Sequence, residues 1–239
     1  MIITEQKPFQ EIMTQLEGRQ RVYIVGCGVC ATTWDTGSEP RCRELAERLR
    51  EAGKEVVGYF VTKESCCDER TTRLELRRRS AETGSVQAFV VLACGAGTQT
   101  VAGLVNVPTY PGLNSMFLAR LQRLTKSDER CIICGDCILG ETAGICPLTI
   151  CTKGLRNGPC GGYRQGKCEV DVNRDCGWIL IYNRMKQLGL LDSFKVERPP
   201  KDYSKTIHPR QIDKSLGGTP APTATPEAPA TAPASGKEG

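Results

Sequence analysis

The sequence predicts an α/β fold: an N-terminal parallel, Rossmann-like sheet, then a small irregular cysteine-rich metal-cluster domain and a disordered tail. Three observations predict it. Strand-like apolar runs alternate with helical patterns in the first half, eight cysteines crowd into the 46 residues from Cys131 to Cys176, and the last residues are mainly Pro, Ala and Thr. The resulting divisions are 1–124 for the α/β domain, 125–197 for the cysteine-rich domain with its C-terminal helix, and 198–239 for the tail.

Short apolar runs mark three strands, which are Arg21–Val25, Glu55–Val61 and Gln87–Ala93. Apolar residues at helical spacing mark helices over Phe9–Leu16, Asp68–Ala81, Leu113–Leu124 and Trp178–Leu188.

A further helix begins at Ser38, which can cap it, and has Pro40 in its first turn. Cys42 lies on the apolar face of this helix, so we assign Cys42 to packing.

Cysteines follow each of the three predicted strands: Cys27 and Cys30 the first, Cys66 and Cys67 the second, and Cys94 the third. The carboxyl ends of parallel strands meet at one edge of a sheet, and that edge carries the ligand crevice of open α/β sheets. We therefore predict a metal site formed by Cys27, Cys30, Cys67 and Cys94, with Cys66 an alternative to Cys67. The competing interpretation is that these thiols are small buried apolar groups.

The segment Gly26-Cys-Gly-Val-Cys-Ala31 also fits the G-x-G-x-x-A pattern of dinucleotide-binding loops. That motif needs a helix to begin at once, whereas Thr32–Pro40 has the composition of a loop. Nucleotide binding is therefore the weaker interpretation.

The cysteine-rich segment opens with three cysteines at C-x-x-C-x-x-C spacing, a run by which ferredoxin-type proteins hold a [4Fe-4S] cluster. Zinc ribbons instead pair two C-x-x-C units. Eight thiolates suffice for two clusters, and the predicted ligands are Cys131, Cys134, Cys137, Cys146, Cys151, Cys160, Cys168 and Cys176. Cys176 is grouped with the opening three and the rest form the second site, although one cluster plus a four-thiolate zinc stays an alternative.

The composition argues against two classes of function, nucleic-acid binding and membrane insertion. The 239 residues carry a net charge of +5 and only 5% aromatic residues, so a nucleic-acid platform is not expected. No apolar run reaches the roughly 20 residues that span a bilayer, and no signal peptide is evident, so a cytoplasmic protein with reduced thiols is expected. The single histidine, His208, lies in a polar stretch, and Lys153 and Arg156 are expected to be exposed.

Once the thiols are assigned to metals, no catalytic motif remains. We expect a non-catalytic subunit that transfers electrons for an enzymatic partner.

The cysteine pattern resembles the methylenetetrahydrofolate reductase C-terminal domain family. The shared motifs are the C-x-x-C-x-x-C run, Cys146-Pro, Cys151, Asn157-Gly-Pro-Cys-Gly-Gly162, Gly166-x-Cys168, Cys176-x-Trp178, and the N-terminal Gly-Cys-Gly-x-Cys and Cys94-Gly. The resemblance implies an iron–sulfur subunit of the Wood–Ljungdahl pathway of one-carbon metabolism. It would pass electrons to the FMN or FAD of a methylenetetrahydrofolate reductase subunit, with a further electron-input subunit as another partner.

Two rival hypotheses stay open at this stage. In one, zinc or a single structural cluster folds a docking module for the same partner. In the other, the chain is a stand-alone enzyme whose sheet edge binds a nucleotide or corrinoid.

Overall fold

The computed structural model describes residues 1–212 and 220–221. It divides into two compact units, Met1–Ile132 and Ile133–Gly239. The division falls after the position that the composition suggests, residue 124, because a β-hairpin extends the first unit to Cys131.

The elements of the first unit, in chain order, are β1 (Ile2–Gln6), α1 (Phe9–Gln15), β2 (Arg21–Gly26), α2 (Cys30–Thr33), α3 (Glu39–Glu51), β3 (Glu55–Val61), α4 (Glu69–Arg78), α5 (Ser80–Thr83), β4 (Ala88–Leu92), α6 (Gly95–Ala102), β5 (Thr109–Pro111), β6 (Leu113–Arg123) and β7 (Lys126–Cys131).

The central feature of this unit is a four-stranded parallel sheet with the order β3-β2-β4-β5. The predicted parallel α/β sheet is confirmed, and the short β5 adds a strand. β4 is buried along its whole length and β2 along all but its first residue, as expected for strands covered on both faces. Tyr23 of β2 packs its ring against Phe60 and Phe89, with centroid separations of 6.1 and 5.8 Å.

The helix predicted over Leu113–Leu124 is wrong. This segment forms β6, the middle strand of an antiparallel sheet β1-β6-β7. Its apolar residues have helical spacing, but only Leu113 of the strand is buried. The backbone hydrogen bonds are satisfied instead by a strand more than 100 residues away and by the hairpin partner, so the non-local pairing overrides the local pattern.

The loop expected over Thr32–Pro40 begins with the last two residues of a single helical turn, α2. α3 follows with Ser38 at its N-cap and Pro40 in its first turn, as the sequence predicts.

The elements of the second unit are a 3₁₀ turn at Leu139–Glu141, α7 (Pro147–Ile150), α8 (Gly177–Gln187), α9 (Leu191–Phe194), a 3₁₀ turn at Tyr203–Thr206, β8 (Gln211–Ile212) and β9 (Pro220–Ala221). α8 agrees with the predicted amphipathic helix. Among the described residues here, Cys176, Trp178, Ile181 and Met185 form a small buried apolar cluster on which partly buried residues such as Leu155 and Phe194 pack, and Ile138 is buried outside it. The Trp178 indole N–H donates to the carbonyl of Leu155 at 2.9 Å, which ties α8 to the loops.

The beginning of the segment predicted as a tail packs against the second unit. Arg198 and Lys201 are 5% and 7% exposed. Arg198 donates to the Glu141 carbonyl at 2.6 Å, and the Asn157 side chain accepts from its backbone N–H at 2.8 Å. Most of the disorder predicted after Gly217 lies outside the described residues.

Within the part of the chain that the structure describes, no helix has the length and apolar content needed to cross a membrane.

Cys42 should behave as a core residue. It is fully buried in α3, and burial raises the pKa of its thiol to about 12. At pH 8 roughly one such thiol in 10,000 is ionised, and thiolates are the species that alkylate. We predict that iodoacetamide leaves Cys42 unmodified in the native metal-free protein, as read by peptide mass spectrometry, while the exposed Cys137 reacts.

The same environment makes Cys42→Ser costly, by about 1–3 kcal/mol, because a hydroxyl then replaces an apolar thiol in the core. Denaturant unfolding followed by circular dichroism measures this loss. Alkylation of native Cys42 at the rate of Cys137 would show that the helix face is open to solvent.

Candidate functional site

The carboxyl edge of the parallel sheet carries a group of cysteines. Cys27 directly follows β2, Cys66 and Cys67 lie between β3 and α4, and Cys94 follows β4 as the N-cap residue of α6. Cys27 is held to the neighbouring strand by a hydrogen bond from its backbone N–H to the Leu92 carbonyl, at 3.2 Å. Three separate strand ends therefore deliver thiols to one place.

The thiols of this edge influence one another. Cys66 is fully buried, and its interactions with Cys27 and Cys94 shift the pKa of all three thiols. The Cys67 and Cys94 sulfurs are 3.9 Å apart. Gly97 in the first turn of α6 makes room for this arrangement, since a Cβ at that position would overlap the Cys66 sulfur. We call Cys27, Cys66, Cys67 and Cys94 the edge thiols.

Hydrogen bonds favour thiolates at two of the edge thiols. The Cys66 thiol and the backbone N–H groups of Val29 and Ala31 lower the pKa of Cys27 to about 5, against the opposing effect of burial. Cys94 also has its pKa lowered to about 5, by Cys66 and by N–H groups at the start of α6. As the shared donor, Cys66 has its own pKa raised well above the ordinary value.

The edge thiols include Cys27, Cys67 and Cys94 of the predicted ligand set, which stays a prediction. Cys30 lies in the first turn of α2, and its sulfur makes no hydrogen bond among the described residues. The buried sulfur that contacts Cys27 and Cys94 belongs to Cys66, the member of the doublet left out of the predicted set. Loop conformation between β3 and α4 decides which of the two points inward, and no sequence periodicity extends into that loop.

An all-sulfur donor set suits zinc or an iron–sulfur cluster, whereas Mg²⁺ and Ca²⁺ prefer oxygen. The edge thiols fit such a group in donor chemistry and in their supply of backbone N–H groups to sulfur. No three His, Cys, Asp or Glu side chains within residues 1–212 are already arranged around a common metal position. The ligand assignments therefore stay predictions.

Cys131, the first cysteine of the C-x-x-C-x-x-C run, is the last residue of β7, and the rest of the run, in the second unit, forms a tight loop. Ile133 and Gly135 both have positive φ, at 54° and 72°, so the chain turns sharply on each side of Cys134. The Cys134 thiol donates to the Asp136 carbonyl at 3.5 Å. Burial raises its pKa, but the Asp136 backbone and the Lys201 ammonium together bring it below the ordinary value.

Positively charged side chains surround this loop. The Asp136 carboxylate is 3.6 Å from Lys201 Nζ, 3.6 Å from Lys205 Nζ and 3.9 Å from Arg156 Nη1. Arg210 donates to the carbonyls of Ile133 and Lys205, at 3.1 and 3.0 Å. One carboxylate thus faces three cations.

Arg156 is not exposed as the sequence suggested. Its side chain is only 14% exposed, whereas that of Lys153 is 39% exposed and pairs with Glu169 at 2.7 Å. The sequence alone could not show which cation turns inward, because both lie in glycine-rich loop sequence.

The remaining predicted ligands are distributed over the loops and helix ends of the second unit. Cys146 precedes α7 and Cys151 ends it, and Cys176 is the buried N-cap residue of α8. Cys160 donates to the Glu169 carboxylate at 3.0 Å. Backbone N–H groups of Asp171 and Val170 lower the pKa of Cys168. In the described residues these sulfurs are supported individually and do not form a preassembled metal position.

The cysteine-rich segment matches a known protein family. Residues 110–204 match the sequence model of the family described as "Methylene-tetrahydrofolate reductase C terminal". The match spans about two fifths of the chain, includes all eight clustered cysteines, and confirms the resemblance carried by their spacing. It relates this segment to methylenetetrahydrofolate reductase. No curated protein and no solved structure matches the chain.

Gly97→Ala should destabilise the first unit, because the added methyl overlaps the Cys66 sulfur and forces the edge thiols apart. Overpacking of this kind costs about 1–3 kcal/mol. Guanidinium unfolding of the metal-free chain, followed by circular dichroism, measures the loss.

Gly103→Ala at the end of the same helix is the matched control. Gly103 has ordinary helical φ, and a methyl group added there would lie 3.5 Å from its nearest neighbour, so alanine should be neutral or stabilise by about 0.4–1 kcal/mol. Equal stabilities for the two variants would mean that the Cys66 sulfur does not occupy the space beside Gly97.

Proposed function

We propose that this chain is an iron–sulfur electron-transfer subunit that passes electrons to the flavin of a partner methylenetetrahydrofolate reductase subunit. The partner would use them to reduce methylenetetrahydrofolate to methyltetrahydrofolate. The observation that carries the proposal is the family match over residues 110–204, which coincides with the eight-cysteine segment.

The character of the cysteine-rich unit supports a metal-dependent module. Among the described residues, its buried apolar cluster has four members and only Ile138 is buried outside it, a core too small to fold a unit of this size unaided. Iron–sulfur clusters supply one-electron chemistry when bound. The residues of this chain hold the thiolates in place, keep their loops tightly turned, and surround them with cations and backbone N–H groups.

The edge thiols provide a third candidate metal position, separate in sequence from the other two. Their backbone N–H donors and all-sulfur composition suit a cluster or zinc. The identity of the metal bound here decides whether this position contributes to electron transfer or only stabilises the sheet edge. We propose a cluster in the electron path, and zinc would indicate a structural role.

A docking module is the second candidate function. Thiolates of the second unit suit four-coordinate zinc as well as iron, and a zinc-folded unit could present a binding surface to the same partner. The small core of this unit is equally consistent with zinc and with iron. The metal content of the purified chain therefore distinguishes the docking function from the electron-transfer function.

The anaerobically prepared chain should contain iron and acid-labile sulfide sufficient for at least two [4Fe-4S] clusters. Cys134→Ser and Cys146→Ser should each lower the iron content and the stability of the second unit, since binding and folding are coupled there. Iron and sulfide quantitation with thermal unfolding measures both effects.

Cys42→Ser is the control, because Cys42 is a packing residue of α3. Its iron content should equal that of the unsubstituted protein. Stoichiometric zinc without labile sulfide in the unsubstituted chain would instead establish the docking function.

The chain should also accelerate reduction of the partner's flavin. In a stopped-flow experiment with a low-potential donor, the complex should show flavin bleaching that is largely lost when the flavin subunit is assayed alone. Methylenetetrahydrofolate should then reoxidise the complex. Equal bleaching rates with and without this chain would contradict the electron-transfer role.

A further inference from the structure

The loop of Cys134 carries more buried positive charge than its protein partners balance. The Asp136 carboxylate faces two cations whose side chains are 14% and 1% exposed, Arg156 and Lys201, which leaves an excess of one buried positive charge; the third cation, Lys205, is half exposed. The Lys201 side chain is only 1% exposed, so water cannot screen its charge. An unbalanced ammonium in such a place costs several kcal/mol unless further negative charge is present.

Two of these cations also have hydrogen-bonding capacity directed at the loop. The Nε and Nη1 atoms of Arg156 are buried and have no hydrogen-bond partner among the described residues. Lys201 donates to the Asp136 carbonyl at 3.4 Å, and the Cys134 thiol donates to the same carbonyl at 3.5 Å, which brings the ammonium close to the sulfur. Buried donors without acceptors are rare in folded proteins, and each calls for a missing partner.

A negatively charged iron–sulfur cluster satisfies both requirements. Its thiolates and sulfides supply negative charge and accept hydrogen bonds from N–H groups, and a ligand set including Cys134 and Cys137 would place it beside Asp136. Phosphate or a free carboxylate would also balance charge, but neither accounts for the convergence of Lys201 and the Cys134 thiol on the same carbonyl oxygen.

We infer that Lys201, positioned by Asp136 and assisted by Arg156, is the charge-compensating residue of the cluster bound at Cys134 and Cys137, and that it sets the reduction potential of this cluster. The inference rests on the proposed function. Reduction adds a negative charge to the cluster, and a buried cation stabilises the reduced state more than the oxidised one. Lys201 therefore raises the potential.

Lys201→Met removes the charge while keeping a long apolar stem. We expect it to shift the reduction equilibrium of this cluster at least tenfold toward the oxidised form, which for one electron corresponds to about 59 mV. Redox titration of the anaerobic protein, followed by electron paramagnetic resonance of the reduced cluster, measures the shift. Asp136→Asn should move the potential in the opposite direction, because it removes a negative charge from the same position.

Two further variants serve as controls. Lys201→Arg keeps the charge and should keep the potential. Lys195→Met removes an exposed lysine, 77% accessible and paired with the exposed Asp192, and should change nothing.

The iron content and the reduction potential together distinguish a failure of this inference from a failure of the proposed function. An unsubstituted chain that binds no iron would overturn both. Iron retained in Lys201→Met with an unchanged potential would overturn the inference alone. If Lys201→Met loses its iron, retention in Lys201→Arg would support the charge role, whereas loss in both variants would reduce Lys201 to a packing residue.

Discussion

In the function proposed above, the attraction between thiolates and a metal holds the second unit together, because its sequence provides little else to do so. Seven of the eight clustered cysteines lie in this unit, in glycine-rich sequence, and its described residues form a small buried cluster of Cys176, Trp178, Ile181 and Met185. Clustered thiolates repel one another without a metal, and the cations beside Asp136 repel one another without the thiolates. A bound cluster would relieve both at once, which explains why cysteines and buried cations occur in the same loops.

The first unit places its cysteines in a different way. Its parallel sheet has an extensive apolar core of its own and needs no metal to form. The fold of the sheet fixes the positions of the strand ends and of the first turns of α2 and α6. Backbone N–H groups at these positions favour the thiolate forms of Cys27 and Cys94. In the proposed function, the edge thiols are a site on a sheet that folds without metal, whereas the cysteines of the second unit take part in the folding of that unit.

Much of the first unit could be predicted from the sequence, since buried parallel strands leave continuous apolar runs and the cysteines follow those runs directly. β6 could not, because its hydrogen bonds depend on β1, which lies far away along the chain. The inward position of Cys66 depends on a loop without periodicity. The burial of Lys201 could not be predicted either, because Lys201 lies in a polar stretch of sequence. The contacts of Arg198 with Glu141 and Asn157, together with those of Lys201 with Asp136, hold this stretch against the cysteine loops.

The claim that metal–thiolate bonding holds the second unit together is tested most directly by hydrogen–deuterium exchange of the whole chain, with metal bound and after its removal by chelation. The amides of β2 and β4 should keep their protection in both states. Those of α8, from Gly177 to Gln187, should lose theirs when the metal is removed, because the unit that surrounds this helix then unfolds. Undiminished protection of α8 in the metal-free protein would contradict the account.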